Sequence, residues 1–352
     1  LSEKIAVIYS DKYLLHETGS HPESPIRVKK AFKLIQESQI AMEDKIIILP
    51  PLKASQEDVL KIHSGELLET IRRLSMAGGG LITLDTVISP QSYEVALLAA
   101  GGVIKAVQLL LKDDFKKAFA LIRPPGHHAS FNRAKGFCLL NNIAIAAKNA
   151  LENGLRRILI FDWDAHHGDG TQEIFYDSPN VLYISIHQDG RTLYPGTGFI
   201  NEIGRGEGRG FNVNIPLPPQ ATGRVALQAI RELVKPIIEQ FKPELIMVSA
   251  GYDGHYADTI SDLMFTTDTY YEMARILSSE ADKYANGRII VALEGGYHLK
   301  YTPLSILNTI HGLIKEKIAY KDKKMGRQPA IERYVEATII KIKKILSEYW
   351  SF

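Results

Sequence analysis

Short runs of Ile, Val, Leu and Ala recur along the chain, apolar at nearly every position rather than at every second one. They fall at 4–9, 45–49, 118–123, 157–162, 181–187, 211–216, 244–250 and 288–293. A strand covered on both faces reads this way, whereas a half-solvated strand alternates. Between them lie longer stretches with apolar residues at helical spacing, over 25–38, 65–77, 91–111, 139–153, 222–240, 268–284 and 303–318. Alternation of this kind predicts an α/β fold, a single domain over 1–320 with a mainly parallel, doubly wound sheet flanked by helices. The one candidate break is the basic segment 321–329 (KDKKMGRQP). Beyond it, 331–349 carries Ile, Val and Tyr at helical spacing, so 321–352 reads as a basic loop and an amphipathic helix docked on the same domain. An oligomer contact or a membrane surface is the less economical use of that helix. Two glycine-rich stretches read as loops: 77–80 as a flexible one, and 204–210 as a hairpin loop, since it lacks the Lys-Ser/Thr of a phosphate loop.

Composition narrows the class. Of 352 residues, 45% are apolar and 23% charged, which is a globular balance. Lys and Arg number 42 against 40 Asp and Glu, a net +2, so no charge footprint for nucleic acid or an anionic membrane is expected. The single cysteine, Cys138, excludes an intrachain disulfide and a Cys-based zinc cluster, and its apolar surroundings suggest buried packing. The apolar stretch 95–111 is interrupted by Gly101, Gly102, Lys105 and Gln108 and reads as too polar to span a bilayer. The leading residues show no secretory signal, so a reducing, cytoplasmic setting is expected.

Chemistry-bearing residues collect where four of the predicted strands end. One strand runs into His127 and His128, a second into Asp162, Asp164, His166 and Asp169, a third into Asp253, and a fourth into Gly295, Gly296 and Tyr297. Ligands of open parallel sheets bind at the carboxyl edge, where all four clusters would converge. Asp164 and His166, two apart, can point the same way, and Asp253 can supply a third ligand. Three protein ligands with an open position describe a catalytic zinc site, although two carboxylates and one imidazole also suit manganese or iron. Adjacent imidazoles beside a metal suggest proton handling, with Asp162 and Asp169 as spare carboxylates to orient them. Tyr297 follows two glycines that let its phenol project into a cleft and donate to an oxyanion. Gly136 with Phe137, and Tyr194 beside Pro195, could wall a narrow channel or simply end strands.

In combination these segments resemble the metal-dependent histone deacetylase and acetylpolyamine amidohydrolase superfamily. The resemblance rests on RPPGHHA (123–129), GFCLLNN (136–142), DWDAHHGDG (162–170), YPGTG (194–198), SAGYD (249–253) and LEGGY (293–297), in that order. HPESPIR (21–27) and LEGGY lean toward the class II and prokaryotic branches. The resemblance implies an arginase–deacetylase-type domain with an eight-stranded, mainly parallel sheet. It implies one zinc ion per chain on Asp164, His166 and Asp253, with His128 as base and His127 as its partner. Asp162 and Asp169 would orient His127 and His128 respectively, and Tyr297 would stabilise the transition state. Gly136, Phe137 and Tyr194 would wall an acyl-lysine tunnel, with Gly295 and Gly296 beside the substrate. Asp85 would grip substrate backbone at the rim, and Arg27 would lie buried near an acetate exit. Monovalent cation sites, for potassium or sodium, would use Asp162, Asp164, His166, Ser185 and Ile186, and separately Phe175, Ser178, Val181 and Phe211.

The expected activity is therefore zinc-dependent removal of acyl groups from lysine side chains of peptides or proteins. Acetylpolyamines or other small amides are the alternative substrates. A two-metal ureohydrolase shares the Asp-Ala-His triplet at 164–166 but would need a further carboxylate pair, and Asp253 stands without one. An inactive acyl-lysine binder would have lost the metal ligands, the base or the tyrosine, and none is lost. Polyamine specialists place an acidic gatekeeper after the third ligand; here Ile260 holds the expected offset and Asp262 lies two residues on.

Overall fold

The computed structural model describes residues 4–352; residues 1–3, at which the expected 1–320 domain begins and on which the reading of the N-terminus partly rests, lie outside the described residues. Ten strands form in chain order: β1 Ile5–Ile8, β2 Ile46–Leu49, β3 Gly80–Thr83, β4 Thr86–Ile88, β5 Lys117–Ala120, β6 Ile158–Asp162, β7 Val181–Gln188, β8 Asn212–Leu217, β9 Leu245–Ala250 and β10 Ile289–Leu293. Eight of them pair as one sheet in the order β2-β1-β5-β10-β9-β6-β7-β8. Every pairing in it is parallel. All residues of these strands are buried except on the edge strand β2, where Ile48 is exposed. That burial is why the strands read as unbroken apolar runs.

The opposite edge is covered. Helix Pro329–Leu346 packs against β8 and the helix Gly223–Ala229, burying Val335, Ile339, Ile342 and Leu346. Trp350 closes the end by donating its indole N–H to the carbonyl of Gly210 at 2.8 Å. The covering helix shields a strand edge that would otherwise offer unpaired backbone groups.

Three expectations change. Strands β7 and β8 are parallel neighbours, so 204–210 is part of a crossover and not a hairpin loop. It turns at Gly206–Gly208 before β8 begins. Gly80, expected in a flexible loop, instead opens the antiparallel hairpin β3–β4. Helix Ser92–Leu111 is long and apolar enough to cross a membrane by length and composition, contrary to the reading of 95–111. Its buried residues, from Ser92 to Leu110, instead pack in the core, against β1, β5 and helix Asn142–Glu152.

The predicted chemistry follows β5, β6, β9 and β10. These are the four adjacent central strands, β5-β10-β9-β6, so their carboxyl ends open on one place.

Candidate active site

Asp164 and His166 leave the end of β6, and Asp253 leaves the end of β9. His166 Nδ1 lies 2.7 Å from Asp253 Oδ2 and 3.2 Å from Asp164 Oδ1. One donor atom from each of the three falls within 4.8 Å of the others, and all three residues are buried. Burial opposes a charge on His166, but the two facing carboxylates outweigh it and push the imidazole up to about 10. Two buried carboxylates around one imidazole thus call for positive charge at this point, and a divalent cation fits the donor set. A Cβ on Gly295 would stand 2.6 Å from Asp164 Oδ2 and 2.9 Å from Asp253 Oδ2, so only glycine admits this close approach. Its N–H donates to Asp164 Oδ2 at 2.9 Å.

The two histidines after β5 have separate carboxylates. His127 Nδ1 is 3.1 Å from Asp162 Oδ2, and His128 Nδ1 is 2.8 Å from Asp169 Oδ1. Burial disfavours charge on His127, yet Asp162 and Asp164 outweigh it and hold the imidazole well above its usual range. Burial and the positive charge on His127 push His128 down to about 4. Asp169 also takes the Lys135 ammonium, and despite burial these partners hold it below the usual carboxylate range. The two imidazoles are thus pushed in opposite directions, and with its Nδ1 turned to Asp169, His128 presents Nε2 to the cavity. Gly136 has φ +57°, and a Cβ there would lie 2.5 Å from the His128 ring.

Tyr297 follows β10. Its ring meets Phe137 edge-on at 5.7 Å, and the Arg27 guanidinium sits 4.7 Å over its face. Burial pushes the phenol well above its usual range, so it is a neutral donor. A cavity of about 250 Å³ is lined by Asp85, Pro125, His127, His128, Gly136, Phe137, Asp164, His166, Tyr194, Ile260, Gly295 and Tyr297. Asp162, Asp169 and Asp253 support it from outside the lining. Gly296 turns away, its carbonyl accepting from Arg27 Nε at 2.6 Å. Asp85 Oδ1 accepts from the hydroxyls of Thr83 and Thr86 at 2.6 and 2.9 Å, fixing the hairpin β3–β4 beside Phe137. Asp262 is turned to Gln188, which takes its N–H at 2.8 Å and donates to its Oδ2 at 3.3 Å.

The residues expected around monovalent cations fall into two groups. Ser185 and Ile186 lie on β7, with Ser185 in register with Asp162 on β6; Ser185 Oγ is 2.7 Å from His187 Nδ1. Phe175 and Ser178 share a turn, Val181 opens β7, and the carbonyl of Phe211 accepts from Tyr183 N–H at 2.9 Å.

Two buried residues received no role from the sequence. Glu294 Oε2 accepts the N–H groups of Gly126 and His127 at 2.6 and 3.1 Å, and Oε1 accepts from Ser249 at 3.1 Å. Burial pushes this carboxyl up to about 7. Arg27 Nη2 donates to the Glu294 carbonyl at 2.7 Å, and Glu23 joins Arg27 to Arg123. His63 donates from Nδ1 to the Ser130 carbonyl and accepts from Asn141 N–H at Nε2, both at 2.8 Å, bracketing the segment after His128. LEGGY marked the place of Glu294 without marking its task, and nothing in the local sequence marks His63.

Comparison with known proteins agrees with this geometry. The profile for the histone deacetylase domain matches residues 21–313. A "probable deacetylase" of Archaeoglobus fulgidus is 42% identical over 355 residues, covering 98% of this chain and 98% of that one. A "histone deacetylase-like amidohydrolase" of Pseudomonas aeruginosa is 39% identical over 305 residues, 86% of this chain and 80% of that one. The crystal structure of the HDA15 HD domain superposes with a TM-score of 0.89 at 30% identity, covering 99% of this chain and 96% of that one. The chain belongs to the histone deacetylase family.

Proposed function

We propose that this protein is a zinc-dependent deacylase that hydrolyses the side-chain amide of acyl-lysine in peptides or proteins. The observation that carries the reading is the pairing of His127 with Asp162 at 3.1 Å and of His128 with Asp169 at 2.8 Å, both imidazoles lining one cavity beside the Asp164, His166 and Asp253 cluster. A divalent cation on those three residues would polarise the amide carbonyl and acidify the attacking water. His128, neutral and held by Asp169, accepts the proton of that water as it attacks. The Tyr297 phenol donates to the developing oxyanion. The charged His127 stabilises negative charge beside it, and the proton held on His128 passes to the leaving amine. His128, Asp169 and Tyr297 thereby deliver hydrolysis without a covalent acyl-enzyme.

Several observations support acyl-lysine over polyamine. Ile260 lines the cavity, and Asp262 is bonded to Gln188 instead of the mouth. A second ammonium on a polyamine would find an apolar wall where it needs a carboxylate. Asp85, at the cavity, suits the backbone amides of a peptide. A single metal is supported as well. Among the described residues the only other cluster of three donors is His127, Cys138 and Glu294, and Glu294 is committed to backbone amides. We place potassium or sodium at the two groups around Ser185 and Phe175.

The test compares kcat/KM for an acetyl-lysine peptide, acetylputrescine and acetylspermidine. The peptide should win by tenfold or more, about 1.4 kcal/mol of transition-state binding. An acetylpolyamine winning by that margin overturns the substrate assignment.

A further inference from the structure

We propose that Asp258 is a positioning residue whose single carboxylate sets both Tyr297 and the Ile260 wall of the cavity. The inference rests on the deacylase reading, since it concerns how the oxyanion donor of that reaction is held. Asp258 is buried. Its Oδ2 accepts two consecutive backbone N–H groups, Tyr297 at 2.6 Å and His298 at 2.9 Å. Its Oδ1 accepts Ile260 N–H at 3.3 Å. The residue is itself fixed by donating its backbone N–H to the carbonyl of His255 at 2.8 Å, two residues past the metal-ligand candidate Asp253.

Tyr297 lies four residues beyond the end of β10, where no strand partner is available to hold its backbone. The preceding peptide is gripped on its carbonyl side, where Arg27 donates to Gly296 O. Asp258 grips the amide side. Those two anchors hold the backbone of Tyr297, and Phe137 and Arg27 flank its ring. A buried N–H left without an acceptor is costly, so loss of the carboxylate would force the segment to rearrange. The same carboxylate pins the start of the segment that carries Ile260, so donor and wall move together or not at all.

The experiment measures kcat and KM for an acetyl-lysine peptide on zinc-loaded wild type, Asp258→Ala, Asp258→Asn, Tyr297→Phe and the Asp258→Ala/Tyr297→Phe double variant. Thermal unfolding of each is followed alongside. Asp258→Ala should lose about 10-fold or more in kcat, up to the roughly 10²–10³ that removal of an oxyanion donor itself costs. The double variant should be no more than about 2-fold below Tyr297→Phe, because Asp258 acts through Tyr297. Asp258→Asn can still accept the Tyr297 and His298 amides on its one carbonyl oxygen, but its NH₂ would face Ile260 N–H. It should keep kcat within about 3-fold and raise KM, and it carries the test if Asp258→Ala does not fold. Losses that multiply in the double variant, or wild-type constants in both Asp258 variants, overturn the inference. Tyr297→Phe at the wild-type rate overturns the oxyanion role of Tyr297 and the positioning role with it, whereas no turnover of the peptide by zinc-loaded wild type overturns the deacylase reading.

Discussion

His127 and His128 are neighbours in the chain with ring centroids 4.1 Å apart, yet their surroundings push one imidazole up and the other down. Each imidazole has its own carboxylate, and only His127 also faces Asp164, at 3.9 Å from its Nε2. The pair is thus divided into an electrostatic partner and a base, before any substrate arrives.

The first prediction follows from that division. His128 is needed neutral, and its value of about 4 lies below the ordinary one. Activity should therefore persist as pH falls below 6.5 and be lost only as pH approaches that lower value. Removing the charge beside it, in His127→Asn, should let His128 rise and move the acid limb of kcat/KM upward. A limb that stays in place contradicts the electrostatic role of His127. His128→Ala should cost about 10²–10⁴ in kcat while the metal stays bound.

Stability should hinge on Glu23. Its carboxylate binds Arg27 at 2.9 Å and Arg123 at 2.7 Å, with all three side chains buried. Burial alone would raise this carboxyl, but the two guanidinium groups hold it far below the usual carboxylate range. Glu23→Gln leaves two buried cations short of their counter-charge and should cost about 3–5 kcal/mol in urea unfolding. A loss under about 1 kcal/mol would show that the arginines find other partners.

His63 gives a signed pH effect away from the catalytic pocket. Burial pushes it down to about 4 from an ordinary 6.5. Between those values the unfolded chain binds the extra proton, so this contribution is full above about 6.5 and is lost as pH falls toward 4. The slope from one such group is at most about 1.4 kcal/mol per pH unit. His63→Gln should lower stability at pH 7 and flatten the fall between pH 6.5 and 4.5. An unchanged slope in urea midpoints would remove His63 from the account.

Much of the site was legible because its residues stand at the ends of unbroken apolar runs. The grouping of Asp164, His166 and Asp253 could be read from spacing and strand order, and His127, His128 and Tyr297 stood out at the same strand ends. The residues that escaped notice work through distant partners. Glu294 meets Gly126 and His127 across 168 and 167 positions of sequence, and His63 meets Asn141 across 78. Neither carries a local pattern. The hairpin β3–β4 was hidden because its strands are 4 and 3 residues long and partly exposed. Glycine density at 204–210 marked a turn but not the direction of the strand after it, which depends on the order of the whole sheet. The helix Ser92–Leu111 was legible, but its scattered polar residues masked that it is apolar almost all round.

The most direct test is a zinc titration of metal-stripped protein, read as acetate released from an acetyl-lysine peptide. Asp164, His166 and Asp253 form one three-ligand cluster, so activity should rise linearly to one equivalent per chain and then level. Activity that appears only with a second equivalent, or no acetate release at any loading, would contradict the account.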